Sequence, residues 1–127
     1  MNLTIPIRTV SEANQSKFEH WGTKQRRAKK QRETVALMMS DWGFRAAVQQ
    51  HRELLAAGQS RIVRLRRVAP RELDGDNLQR SFKAIRDEVA KQLGVDDRDK
   101  RVTWEYHQRK GNKPKEYAIE ISIECVS

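Results

Sequence analysis

Leu78, Phe82, Ile85, Val89 and Leu93 recur at spacings of 4, 3, 4 and 4. An α-helix turns once in about 3.6 residues, so these five side chains share one face. A strand points successive side chains to opposite faces and has no use for this pattern. Gly94 supplies the stop. The spacing predicts a helix of about 18 residues, roughly 27 Å long, whose apolar stripe needs a surface to cover it. The chain offers one downstream. Tyr117, Ile119, Ile121, Ile123 and Cys125 alternate with polar residues, as do Val102, Trp104 and Tyr106 before them. Both runs read as half-buried strands, and the turn signal at 111–114 predicts a hairpin between them.

The rest of the chain fits around this unit. Leu3, Ile5 and Ile7 alternate near the start, and Pro6 places that strand at a sheet edge because it lacks an N–H. Residues 11–16 read as a polar turn. A first helix follows, with Phe18, Trp21, Ala28, Val35 and Met39 on one face and a possible break at Gly22 and Thr23. A second helix is expected from about 43 to 57, capped by Ser40 or Asp41 and closed by Gly58, with Trp42, Phe44, Val48, Leu54 and Leu55 in the core. Residues 61–70 are β-rich. The order β-α-α-β-α-β-β predicts an α/β (α+β) fold, a mixed sheet packed with helices, in one domain over residues 1–127.

Charge narrows the partners. Charged residues make up 34% of the chain against 37% hydrophobic, so the core must be lean and the surface heavily ionic. The formal net charge is +9, which points to a polyanion, because Lys and Arg that neutralise phosphates release condensed counterions. The charge is concentrated. Lys24, Arg26, Arg27, Lys29, Lys30 and Arg32 crowd one helix with no acid before Glu33. Like charges three and four residues apart repel, and an approaching phosphate backbone relieves that repulsion. Arg64 and Arg66 lie on the strand after the second helix. They either face DNA or pair with acids of a neighbouring strand. No apolar run approaches the roughly 18 residues of a membrane span, and the first ten residues carry no secretion signal. A single cysteine, Cys125, excludes an intramolecular disulfide and a multi-cysteine zinc site, so a reducing cytoplasm is the expected compartment. Trp21, Trp42 and Trp104 are expected to pack in the core or at an interface rather than to stack on bases.

Against this basic background the acids stand out. Asp74 and Asp76 sit one residue apart at the start of the third helix. A carboxylate there caps backbone N–H groups and suits the positive end of the helix dipole. That explains one aspartate, not two flanking Gly75. Asp96, Asp97 and Asp99 follow the far end of the same helix, where the dipole disfavours acids. Should the chain fold back and bring the two groups together, they would make an all-oxygen site for a hard cation such as Mg²⁺ or Mn²⁺. A metal set within a basic surface suits phosphodiester cleavage.

The stretch from Leu73 to Ile123 resembles the RusA family of Holliday-junction resolvases. The resemblance is carried by "DGDNL" at 74–78, the amphipathic helix, "DD" at 96–97 and the strands that follow. "EHWGTKQRRAKKQR" and "VTWEYHQRKGNKPKEYAIEI" are similar to a phage and prophage branch of that family. The resemblance implies a symmetric homodimer that uses Mg²⁺ or Mn²⁺ to nick two opposed strands of a four-way DNA junction. It implies Asp74, Asp76 and Asp97 as metal-binding acids, with Asp96 and Asp99 as alternatives for the third. Arg80 falls where the family more often has Lys. Arg keeps the charge but cannot share a proton, so Lys83, one turn on, is a candidate for any proton-transfer role. Residues 24–32, Arg64 and Arg66 would grip the DNA arms. The alternative function is a basic DNA-binding protein of the same fold without catalysis.

Overall fold

A computed structural model of the chain describes residues 1–9 and 21–126. Its elements are β1 (Asn2–Ile5), α1 (Trp21–Met39), α2 (Arg45–Ala56), β2 (Arg61–Ala69), α3 (Gly75–Ser81), α4 (Lys83–Gln92), β3 (Val102–Lys110) and β4 (Ala118–Cys125). The α+β class and the element order are those expected from the sequence. The polar turn at 11–16 and Phe18 lie outside the described residues.

One mixed sheet runs in the order β1-β4-β2-β3. β1 and β4 are antiparallel, β4 and β2 are antiparallel, and β2 and β3 are parallel. β1 is an edge strand, as Pro6 suggested, and it ends before that proline. The expected β3–β4 hairpin does not form, because β2 lies between those strands. β2 is apolar enough to be central: Val63 and Leu65 are fully buried. Spanning two strand spacings takes about 10 Å, which residues 111–117 cover easily and a tight hairpin turn would not. Gly111 donates its N–H to the Ala69 carbonyl, fastening that link over the end of β2.

The long helix is broken in two at Phe82, whose backbone sits at φ −97°, ψ 2°. Ser81 Oγ donates to the Leu78 carbonyl at 2.7 Å, a back-bond of the kind that bends helices. The apolar stripe survives the break. Leu78, Phe82, Ile85, Val89 and Leu93 are all buried, against Ile119, Ile121 and Ile123 of β4 and Leu3 and Ile5 of β1 in a single core. α4 ends where expected, at Gly94 with φ +72°, a conformation that favours glycine.

α1 runs through Gly22 and Thr23 without a break and packs on α4, burying Gln31, Val35 and Met39. α2 buries Val48 and Leu55. Neither expected cap serves it: its N-cap is Phe44, while Ser40 Oγ bonds carbonyls at the end of α1. Trp42 is not a core residue. It is 94% exposed, and at 100° per residue it would stand some 120° from Val48 even if α2 extended back to it. Trp21 is also exposed, whereas Trp104 packs against the core. No helix among the described residues is long and apolar enough to cross a membrane.

Candidate nucleic-acid and metal site

Asp74 is the N-cap of α3. Its Oδ1 accepts the Asn77 backbone N–H at 3.0 Å, and its Oδ2 accepts the Asn77 side-chain amide at 3.0 Å. Capping therefore accounts for Asp74 and for the asparagine two residues after Gly75. It does not account for Asp76. That side chain is exposed and makes no hydrogen bond or ion pair with any described residue. Two carboxylates thus flank one turn, one clamped and one uncommitted. Both line an open depression with Gly75, Asn77 and Arg80.

The acids after α4 are held differently. Asp96 Oδ1 accepts the Arg98 N–H at 2.9 Å, and that bond, with the Asp97 side chain beside it, lowers its pKa. Asp99 is gripped by Arg101, whose guanidinium reaches Oδ1 and Oδ2 at 3.0 and 2.7 Å and whose N–H reaches Oδ1 at 2.9 Å. The guanidinium first and the N–H second hold Asp99 down to about 2. Arg101 in turn donates to the Leu55 carbonyl of α2, so Asp99 pins this loop to the neighbouring helix. The ionised form is the one that stabilises the fold. Its contribution is complete above the ordinary value of 3.8 and is lost as pH falls from there toward 2. The urea midpoint is accordingly expected to drop between pH 4 and pH 2, and Asp99→Asn should flatten that part of the profile while lowering stability at pH 7.

Asp97 is drawn back toward α4. Arg86 donates to its carbonyl at 2.6 Å, and Nε of the same guanidinium stands 3.9 Å from its carboxylate. The loop has therefore doubled back along the helix to the level of Arg86. From there to Asp76 is ten residues, about 15 Å along a straight helix. Among the described residues no three of His, Cys, Asp and Glu are placed to share a metal ion. The structure does not bring Asp96, Asp97 or Asp99 together with Asp74 and Asp76 as a group of three.

The turn at 74–77 by itself fits one kind of ion. Mg²⁺ is commonly held by one or two carboxylates, completing its shell with water and substrate phosphate oxygens. Asp76 is free for that role, and each Asp74 oxygen keeps a lone pair beyond its bond to Asn77. Ca²⁺, which takes six to eight oxygens, is poorly matched here.

The basic residues divide into two sets. Lys24 and Arg32 of α1 face Arg80 and Lys83 across a cleft of about 360 Å³, with Gln25, Ser81 and Asp87 also on its walls. Arg80 lines both this cleft and the aspartate depression. Lys29 stands outside it on the exposed side of α1, 3.9 Å from Glu33. Lys30 and Arg27 line a separate groove with Arg8 on the β1 side of α1. Arg26 is exposed and bonds Thr23.

Arg64 and Arg66 do not join the cleft. They point from the sheet face opposite the core residues of β2, and they pair with acids of adjacent strands. Arg64 reaches Glu105 at 3.0 Å and Glu124 at 2.6 Å, and Arg66 reaches Glu120 at 3.7 Å. Of the two readings the sequence allowed, pairing with neighbouring acids is the one the structure displays.

The residue that sequence reasoning passed over is Arg86. Its signal was present in the series 80, 83, 86, three cations three apart on the same helical run. The first two face the cleft. The third turns inward, donating to Tyr106 Oη at 2.7 Å and lying 4.8 Å from the centre of the Trp104 ring.

No family model, curated protein or solved structure matches the chain. The functional reading therefore stands on the residues and their arrangement.

Proposed function

We propose that the protein is a metal-dependent endodeoxyribonuclease that nicks branched DNA, four-way junctions above all, and works as a homodimer on the two-fold symmetry of such a junction. One observation carries the reading. Arg80 lines both a cleft bordered by Lys24, Arg32 and Lys83 and a turn bearing an uncommitted carboxylate. A backbone lying in the cleft would be led to Asp74 and Asp76. The motif resemblance over 74–97 supports the same chemistry.

Each residue then has a task. Lys24 and Arg32 hold one side of the backbone, and Arg80 and Lys83 hold the other. Mg²⁺ or Mn²⁺ on Asp74 and Asp76 would supply Lewis-acid polarisation of the phosphodiester. Hydrolysis adds the oxygen of water to phosphorus, breaks the bond to the 3′ oxygen, and leaves a 5′-phosphate and a 3′-hydroxyl. The departing oxygen takes a proton. Lys83 is able to give one, whereas Arg80 stays charged and acts only as an anchor.

A labelled four-way junction incubated with the protein is expected to be nicked in Mg²⁺ and left whole in EDTA. Binding without nicking in either Mg²⁺ or Mn²⁺ selects the second reading, a DNA-binding protein without catalysis. That reading is favoured by the local partners that occupy Asp74, Asp96 and Asp99.

The cleft makes a separate prediction. Each phosphate contact contributes about 0.9 to the slope of log affinity against log salt. Arg80→Ala with Lys83→Ala should reduce that slope by roughly 1.8 in a fluorescence-anisotropy titration. Arg64→Ala with Arg66→Ala should leave it nearly unchanged. The reverse pattern would move the DNA to the sheet face.

A further inference from the structure

We infer that the cleft between α1 and the α3–α4 pair seats an unpaired DNA base, with the Gln31 amide meeting its edge and Trp21 stacking on a base further along the strand. The inference rests on the reading above that the cleft takes DNA, and it names which part: nucleotides freed from pairing at the branch. Three observations carry it. The first is Gln31, which is 6% exposed, lines the cleft, and makes no side-chain hydrogen bond with any described residue. The other buried polar side chains among the described residues, Thr9, Arg61, Arg67, Ser81 and Glu88, each have a hydrogen-bond partner. A buried amide without one costs stability. It offers a donor pair and an acceptor, and a base edge presents the matching groups.

The second is the make-up of the cleft. Ala28 and Ala84 put small apolar side chains on walls that also carry Lys24, Arg32, Arg80 and Lys83. A phosphate needs only the cations. A base has apolar faces and a polar edge, which small apolar walls with one amide suit. The third is Trp21, which is 73% exposed. Positions 21, 24, 25, 28 and 32 share one face of α1, and the last four line the cleft. The indole thus extends that wall by one turn. Ten residues, about 15 Å of helix, separate it from Gln31, so the two meet different bases. Aromatic rings beside a basic groove are how single strands are held. Gln31 also lines the groove on the β1 side of α1, whereas Ala28 lines the cleft and not that groove.

The test is fluorescence anisotropy in EDTA with three labelled four-way junctions. One is fully paired, one carries a short run of unpaired adenines at the branch, and one has the same run built of abasic nucleotides. The wild type is expected to bind the adenine run about tenfold more tightly than the paired junction, and the abasic run no more tightly than the paired one. Trp21→Ala and Gln31→Met should each remove most of that preference, and Trp21→Phe should keep it. Ala28→Leu, which fills the cleft alone, should remove it too. Gln31→Met should also hold or raise the thermal midpoint, because it deletes a polar group without a partner. Trp21→Ala and Ala28→Leu carry the test if Gln31→Met does not fold. A lowered midpoint with an unchanged preference would make Gln31 structural and overturn the inference. So would a wild type that gains as much from the abasic run as from adenines. If the wild type shows no preference yet nicks the paired junction in Mg²⁺, the inference falls and the nuclease reading stands. If it binds no junction, both fall.

Discussion

Asp76→Asn is expected to abolish Mg²⁺-dependent nicking of a four-way junction while the junction still binds. Asp76 is the carboxylate at the start of α3 with no partner among the described residues, so replacing it disturbs no contact of the fold. The amide keeps the shape and removes the charge. Metal ions supply several kcal/mol of transition-state stabilisation, and about 1.4 kcal/mol is tenfold in rate, so a loss of at least ~100-fold is expected. Removing a negative charge beside Arg80 should also leave DNA affinity unchanged or slightly raised. Asp74→Asn should combine two effects, because Asp74 also caps α3 through Asn77. A lost cap costs about 1 kcal/mol of stability, so only Asp76 separates chemistry from folding cleanly. Gel assays of nicking and anisotropy of binding, run on the same preparation, read the two outcomes. An Asp76→Asn protein that nicks like the wild type removes the turn from the active site.

Phe82→Ala carries the largest expected cost to stability. The ring is fully buried at the break between α3 and α4 and lies 6.1 Å from the ring centre of Tyr106, tilted by 40°. Removing a buried Phe side chain typically costs about 3–5 kcal/mol, from lost burial and the cavity left behind. Domains of this size hold only about 5–15 kcal/mol in total, so the variant should be partly unfolded at moderate temperature. Trp42→Ala removes a larger ring and should change stability by less than about 0.5 kcal/mol, because that ring is 94% exposed. Urea unfolding of the two variants compares them directly. Equal costs would show that the core is not centred on the α3–α4 stripe.

The contrast between those aromatics shows what the sequence makes legible. The stripe from Leu78 to Leu93 and the alternation in β4 are local periodicities, and each becomes a buried face. Gly94 and Gly58 end helices because positive φ is written into the residue itself. Trp42 carries no such periodicity with Val48 and Leu55, and hydrophobicity alone misplaced it. Strand pairing was misjudged for a similar reason. β3 and β4 are consecutive in sequence, but β2 takes the place between them, a long-range pairing that the alternation within each strand does not encode.

The site divides along the same line. Asp74, Asp76 and Arg80 fall within the cap and first two turns of one helix, so their juxtaposition follows from spacing. The cleft joins Lys24 and Arg32 to Arg80 and Lys83 across more than forty residues, and only the packing of α1 on α4 creates it. Arg86 was hidden because a surface cation and an inward one look alike in sequence. Its partners Tyr106 and Trp104 come from a strand twenty residues away.

On the proposed function, a divalent cation bound at residues 74–77 lies beside the DNA backbone at the branch. Fe²⁺ substituted for Mg²⁺, with ascorbate and peroxide, generates hydroxyl radicals where the metal sits and cuts whatever is near. In the protein–junction complex the predicted result is cleavage of the polypeptide around residues 74–77 together with strand breaks close to the branch point, both lost in Asp76→Asn. Strand breaks without a polypeptide cut in that turn, or cuts that persist in Asp76→Asn, would contradict it.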